Sequence, residues 1–277
     1  MKKLISVSFI MFLSFGAHAV EDEGEYSPAI SPDGKLIAFH VNNETNAWDI
    51  AIRNIKTGEE NLVTSSSDFD VDASWSPDGK RLAFASTRGG DWNIYIYTLA
   101  TGETTGVITR PGIDNQPKWS PDGQRLVFTS RRNGSAQLYL YDFTSSETSQ
   151  LTDTDKNIAH PSWASDMKSV VFDQYDGEKS SIYIVDTDTK QVSALYSGHG
   201  STIAAKLIKD DLFVSNNRRG NWDLLKINLK TGSETSLAAS EFDEMKADIN
   251  LNHHLYAYSA QDKFGVFRLV FSPLKAD

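Results

Sequence analysis

The sequence predicts an all-β fold, a six-bladed β-propeller built of four-stranded antiparallel blades. Three observations predict it. The turn motif Ser31-Pro32-Asp33-Gly34 recurs as Ser76-Pro77-Asp78-Gly79 and Ser120-Pro121-Asp122-Gly123, with a worn copy, Ala164-Ser165-Asp166-Met167. The copies are 45, 44 and 44 residues apart, and a fixed period of this size marks stacked copies of one supersecondary unit. Each period reads as four short strands, a to d, with no long helical pattern between them. Four strands in about 40–45 residues make a propeller blade.

In chain order, residues 1–19 read as a cleavable secretory leader. Lys2 and Lys3 give the positive start, Leu4 to Phe15 the apolar run, and Ala17-His18-Ala19 the small-x-small cleavage site. The run is shorter than the roughly 20 apolar residues a spanning helix needs. Cleavage after Ala19 leaves 258 of the 277 residues as one domain, 20–277, in the periplasm or secreted, with no stable membrane insertion. No cysteine is present, which excludes disulfides, thiolate catalysis and Cys-ligated metals. The formal charge of −10 becomes −12 once Lys2 and Lys3 are lost. That excess opposes nucleic-acid binding, which needs Lys and Arg to neutralise phosphates.

In the second repeat, strand a is 72–75, b is 82–86, c is 93–97 and d is 104–109. Pro-Asp-Gly between a and b presets a type I turn closed by glycine in the left-handed conformation. Strand c alternates β-formers with period two, as in Ile94-Tyr95-Ile96-Tyr97 and Leu138-Tyr139-Leu140-Tyr141. The fifth and sixth copies lose the turn but keep the strands, Leu212-Phe213-Val214-Ser215 and Leu255-Tyr256-Ala257-Tyr258 among them. The sixth stops after strand c. Its fourth strand is either missing or supplied by residues 20–24.

The stretch Trp75-Ser76-Pro77-Asp78-Gly79-Lys80-Arg81-Leu82-Ala83-Phe84-Ala85-Ser86, with Asn93-Ile94-Tyr95 and Thr101-Gly102-Glu103 behind it, resembles the WD-repeat-like propeller repeat of TolB-type proteins. The resemblance spans nearly all of the chain after residue 19, sharply in four copies and faintly in two. It implies a six-bladed propeller in the periplasm of a Gram-negative cell. It also implies a protein-binding role, because the TolB propeller contacts a peptidoglycan-associated lipoprotein in an envelope-spanning system. TolB-type proteins carry an α/β domain ahead of the propeller. Here the repeats begin almost at the cleavage site, so contacts of that domain do not carry over. Similar repeats occur in propellers of prolyl-oligopeptidase-type peptidases, but no Gly-x-Ser-x-Gly elbow accompanies them here.

The family pattern puts the d–a and b–c connections on one face, and loops on a rigid scaffold carry function. Two sets of residues belong there. The b–c loops hold Arg88, Arg131, Arg132, Lys179, Arg218, Arg219 and Lys263, and Trp48, Trp92, Trp222 and Phe264 stand just before strand c. Arg and Trp on a rim dominate protein interfaces. They equally serve to stack on sugars or grip carboxylates, or simply to pack on neighbouring loops. The polar residues after the tryptophans, Asp49, Asn93 and Asp223, read as starters of strand c.

The second set opens strand a. Aligned copies place Ser27, Asp72, Gln116 and His160 at one position, followed by Ala204 and Lys246. His40 and Asp173 share the end of strand b, and His199 lies near the fifth blade. His, Asp and Gln at a channel mouth are the ligand types of a metal site. Oligogalacturonate lyases look broadly similar, with histidines and a glutamine holding a divalent metal in a propeller. Asp68-Phe69-Asp70-Val71-Asp72 lacks the glycine and distal glutamate of a calcium loop and reads as a solvated d–a loop. His253-His254 reads as an exposed turn, and Trp75, Trp119 and Trp163 as packing between blades.

The leading expectation is therefore a non-catalytic, cofactor-free scaffold for a protein or peptide partner in the cell envelope. The alternative is a glycan binder or metal-dependent lyase acting at the channel mouth.

Overall fold

The computed structural model describes residues 24–42 and 47–274. The leader, and residues 20–23 of the segment considered for closing the ring, lie outside the described residues. Six antiparallel sheets follow one another along the chain. Blade 1 is β1 (Glu25–Ile30), β2 (Leu36–Asn42), β3 (Trp48–Asn54) and β4 (Glu60–Leu62). Blade 2 is β5 (Asp70–Trp75), β6 (Arg81–Ser86), β7 (Asn93–Thr98) and β8 (Glu103–Ile108). Blade 3 is β9 (Asp114–Trp119), β10 (Arg125–Ser130), β11 (Gln137–Asp142) and β12 (Glu147–Gln150). Blade 4 is β13 (Ile158–Trp163), β14 (Ser169–Tyr175), β15 (Ser180–Asp186) and β16 (Val192–Tyr196). Blade 5 is β17 (Thr202–Ile208), β18 (Asp211–Asn216), β19 (Asp223–Asn228) and β20 (Glu234–Ala238). Blade 6 has three strands among the described residues, β21 (Glu244–Asn250), β22 (Leu255–Gln261) and β23 (Phe267–Pro273).

The core lies between blades. Phe39, Phe84, Phe128 and Phe172 occupy one position of the second strand and are fully buried, each contributing about 1.5–3 kcal/mol by leaving water. Val127, Leu138 and Leu140 of blade 3 pack on Ile158, Trp163 and Phe172 of blade 4, and the same union recurs around the ring. Trp75 Nε1 donates to Ala29 O at 2.9 Å and Trp163 Nε1 to Lys118 O at 3.2 Å, so these indoles join adjacent blades as expected.

The ring closes where blade 6 meets blade 1. Ile30, Ile37 and Phe39 share a core with Ala257 and Leu269. Polar bonds reinforce the seam: Asp248 Oδ2 accepts Ile30 N–H at 2.7 Å, and Asn250 Nδ2 donates to Ser31 O at 3.0 Å. Glu25 pairs with Arg53 and also accepts the Leu269 N–H at 2.9 Å. Gly24 bridges Phe267 in the parallel sense. A fourth blade strand runs antiparallel to the third, so Gly24 does not itself extend such a strand.

The turn chemistry is as the motif requires. Gly34, Gly79 and Gly123 have φ near +70°, and each donates its N–H to the serine three residues back at 2.9 Å. The serine and aspartate side chains meet, and the aspartate accepts a further N–H, Lys35 N to Asp33 Oδ1 at 3.1 Å in the first copy. In the fourth copy Met167 holds the glycine's place at φ +62° and is exposed. A side chain there carries about 1 kcal/mol of left-handed strain. Met167→Gly is expected to stabilise the fold by about 0.5–1 kcal/mol, seen as a higher urea midpoint with an unchanged slope. An unchanged or lower midpoint would contradict the strain.

Candidate functional site

The first strand of every blade carries one irregularity. Pairing with the second strand breaks register between Tyr26 and Ala29, Val71 and Ser74, Ala159 and Ser162, Ile203 and Lys206, and Met245 and Asp248, and likewise opposite Val127 and Thr129 in blade 3. One residue at each break is left-handed: Ser27, Asp72, Gln116, His160, Ala204 and Lys246, with φ between +51° and +57°. These are the six positions that the repeat alignment superposes. The bulge turns them toward the axis, where all six line one cavity. Two residues further on, Lys118, Lys206 and Asp248 line it as well.

Each bulge frees an N–H, and three of these bond to a side chain of the preceding blade. Gln116 Oε1 accepts His160 N–H at 2.9 Å, Asp173 Oδ1 accepts Ala204 N–H at 3.1 Å, and Ser215 Oγ accepts Lys246 N–H at 3.0 Å. His160 Nδ1 lies 2.8 Å from Asp173 Oδ1, and Thr129 Oγ1 donates to Gln116 Oε1 at 3.1 Å. The structure thus brings Asp72, Gln116, His160 and Asp173 together at the mouth. Gln116 and Asp173 each hold the neighbouring blade through one of these bonds.

His40 differs from the rest of this set. It is buried, packed on Tyr26 and Trp48, and its Nδ1 has no hydrogen-bond partner among the described residues. Burial, helped by Lys246 and Lys118 and opposed by Asp72, pushes its pKa down to about 3. Burial works to raise Asp72, but Lys246, His40 and Lys118 outweigh it and hold the carboxyl below its ordinary value. Among the described residues no three His, Asp or Glu side chains converge as a metal-holding group. Of the expected ligand types, Asp173 holds His160, Gln116 Oε1 already accepts two hydrogen bonds, and His40 is enclosed.

The rim set divides in two. Arg88 Nη2 bonds Asp70 Oδ1 at 2.9 Å, Arg132 Nη2 bonds Asp114 Oδ1 at 3.0 Å, and each Nε donates to a serine hydroxyl, Ser86 or Ser130. Their guanidinium groups cover Tyr95 and Tyr139. These arginines pin the b–c loop to strand a of their own blade. Trp92 and Trp222 are 7% and 5% exposed, so they pack rather than project. Trp48 is half-buried beside Tyr26. Arg218 pairs with Glu234. Phe264 is 79% exposed, Phe69 40%, and Arg131 and Arg219 reach solvent.

Two expectations are corrected here. Residues 68–72 are not a solvated loop, because Asp70 opens β5, is fully buried and holds Arg88. Asp49 does more than start a strand: its buried carboxylate accepts Thr64 Oγ1 at 3.2 Å and Ser66 N–H at 3.3 Å from the following loop. The exposed aromatic Phe69 was missed because nothing in the repeat marks it. His253 and His254 are exposed, as expected.

Two outcomes follow from these contacts. Arg132→Ala leaves the buried Asp114 carboxylate unpaired and is expected to cost about 2–3 kcal/mol, whereas Arg131→Ala stays within about 0.5 kcal/mol. Urea denaturation of both variants checks the contrast, and equal losses would contradict the pin. His40 is neutral in the fold at pH values where the unfolded chain, with a His pKa near 6.5, already binds a proton. Its contribution is therefore complete above about pH 6.5 and is lost as pH falls toward about 3. Between pH 7 and pH 4.5 the loss is expected to reach about 2–3 kcal/mol. His40→Gln should flatten that slope, and an unaltered slope would place the titration elsewhere.

Comparison with known proteins places the chain. It matches the TolB beta propeller domain over residues 20–202. Its fold is similar to TolB from Acinetobacter baumannii, at 20% identity and TM-score 0.73, over 91% of this chain and 61% of that one. It is similar to the putative TolB from Agrobacterium tumefaciens at 21% identity and TM-score 0.68, over 77% and 78%. An oligogalacturonate lyase in complex with manganese aligns at 14% identity and TM-score 0.64, over 93% and 78%. The chain spans about three-fifths of the length of the A. baumannii protein. With about two-thirds of its length matched, the chain belongs to the TolB β-propeller family.

Proposed function

We propose that the chain is a periplasmic, non-catalytic propeller that binds a protein or peptide partner through the face bearing its b–c and d–a loops. The observation that carries this reading is the placement of exposed aromatics on that face. Phe69, at 40% exposure, stands beside the buried Asp70–Arg88 pair, and Phe264, at 79% with Lys263 over its ring, stands on a turn in which the Asp262 carboxylate accepts the Phe264 and Val266 N–H groups. Exposed aromatics on a face whose b–c loops also carry Arg131 and Arg219 are the composition of a binding surface. Trp48, Trp92, Trp222, Arg88, Arg132 and Arg218 belong to the b–c connections of blades 1, 2, 3 and 5 on the same face. Family membership agrees with a binding role, and the leader-like residues 1–19 agree with export. No helix among the described residues is long and apolar enough to cross a membrane.

The alternative, a metal-dependent lyase at the channel mouth, draws on fold likeness to the manganese-bound lyase. The mouth residues do not provide that ligand set, so the binding role is preferred. Tagged wild-type protein is expected to recover one specific partner from envelope extract, and Phe264→Ser with Arg131→Ala to lose most of it, about tenfold for a side chain at the centre of an interface. Equal recovery by both proteins would remove this face from the account.

A further inference from the structure

The axial cavity, about 310 Å³ in volume, encloses charges that do not balance. Its wall carries Lys118, Lys206 and Lys246 against Asp72 and Asp248. Lys206 Nζ is satisfied by Asp248 at 2.6 Å and Ile249 O at 2.8 Å, and Asp248 also accepts the Ile30 N–H. Lys246 Nζ rests on Ser27 Oγ at 3.1 Å. The half-buried Lys118 ammonium has no hydrogen-bond or ion-pair partner among the described residues. Burial pushes its pKa down, against the pull of Asp72 and Asp248. His160 faces the cavity too, but its ring is engaged by Asp173, whose Oδ1 also holds Ala204 N–H. One positive charge is left over inside a chain of net charge −10.

We propose that the channel binds one small monocarboxylate, with the carboxylate seated on the Lys118 ammonium beside Lys246 and within reach of the Gln116 amide. The surplus of one fits a monovalent group. A phosphate dianion would bring excess negative charge beside Asp72 and Asp248, and a cation would meet three ammonium groups. Gln116 Oε1 is already taken by Thr129 and His160, which leaves its Nε2 to donate. The cavity volume sits at the small end of ligand pockets, matching one sugar acid or the end of a peptide. A carboxylate there supplies the charge-assisted bond that Lys118 lacks.

Calorimetry in low-chloride buffer at pH 7 tests this with two pairs of probes. Glucuronate is compared with glucose, and N-acetyl-dialanine with its C-terminal amide. At least one acid is expected to bind about tenfold or more tightly than its neutral partner. Lys118→Met is expected to abolish that preference and Lys118→Arg to keep it. Glucuronate alone binding identifies a free small acid as the ligand type, and the dipeptide alone a chain terminus. Lys118→Met should also raise the urea midpoint in anion-free buffer, since it removes an unpaired ammonium. Neither acid binding up to about 50 mM, acid and neutral forms binding alike, a preference that survives Lys118→Met, or a lowered midpoint for that variant would overturn the proposal.

Discussion

The left-handed bulge in the first strand of each blade is the constraint on which the rest of the structure depends. It breaks pairing with the second strand for one residue, and that break has two results. The residue's side chain turns to the axis, and in blades 4, 5 and 6 its N–H turns to the neighbouring blade, where Gln116, Asp173 and Ser215 receive it. A non-glycine residue in this conformation carries strain of about 1–2 kcal/mol. The hydrogen bonds between blades offset it. The same backbone distortion therefore joins the ring and furnishes the channel.

Polar groups at the mouth consequently have two employers. His160, Asp173, Gln116 and Thr129 look like a reactive constellation when read as residue types. In place, they form a hydrogen-bonded chain from blade 3 to blade 5. The deeper ring of Lys118, Lys206 and Asp248 lies outside that chain. The rim follows the same division of labour. Buried carboxylates Asp70 and Asp114 consume Arg88 and Arg132, while the scaffold leaves Phe264 and Phe69 in water.

Much of this was legible in the sequence. The Ser-Pro-Asp-Gly period marked the blades, the alternation in Ile94-Tyr95-Ile96-Tyr97 marked the third strands, and the aligned copies superposed Ser27 through Lys246 before any coordinate did. Register carries that information, because a strict repeat forces equivalent residues into equivalent places. What register does not carry is partnership. Arg132 stands one 44-residue period after Arg88, and Asp114 one period after Asp70, so the repeat marks the two pairs as equivalent without showing that their members bond. The pairing depends on Asp114, 18 residues earlier and across a sheet. The burial of His40 was hidden for the same reason, since Tyr26 and Trp48 reach it from separate strands.

The outer margin of β23 has a bearing on how the molecule behaves in company. Leu269 points its N–H away from β22, to the Glu25 carboxylate. Strand periodicity gives Phe271 and Pro273 the same direction, and proline has no N–H to offer. Among the described residues, the outward donors of β23 are interrupted, with the Leu269 amide taken by a carboxylate and an imino acid at position 273. Bare sheet margins invite fibre growth, and short, blocked ones resist it. Along its described length, the margin of β23 is therefore poorly suited to pairing with a strand of a neighbouring molecule.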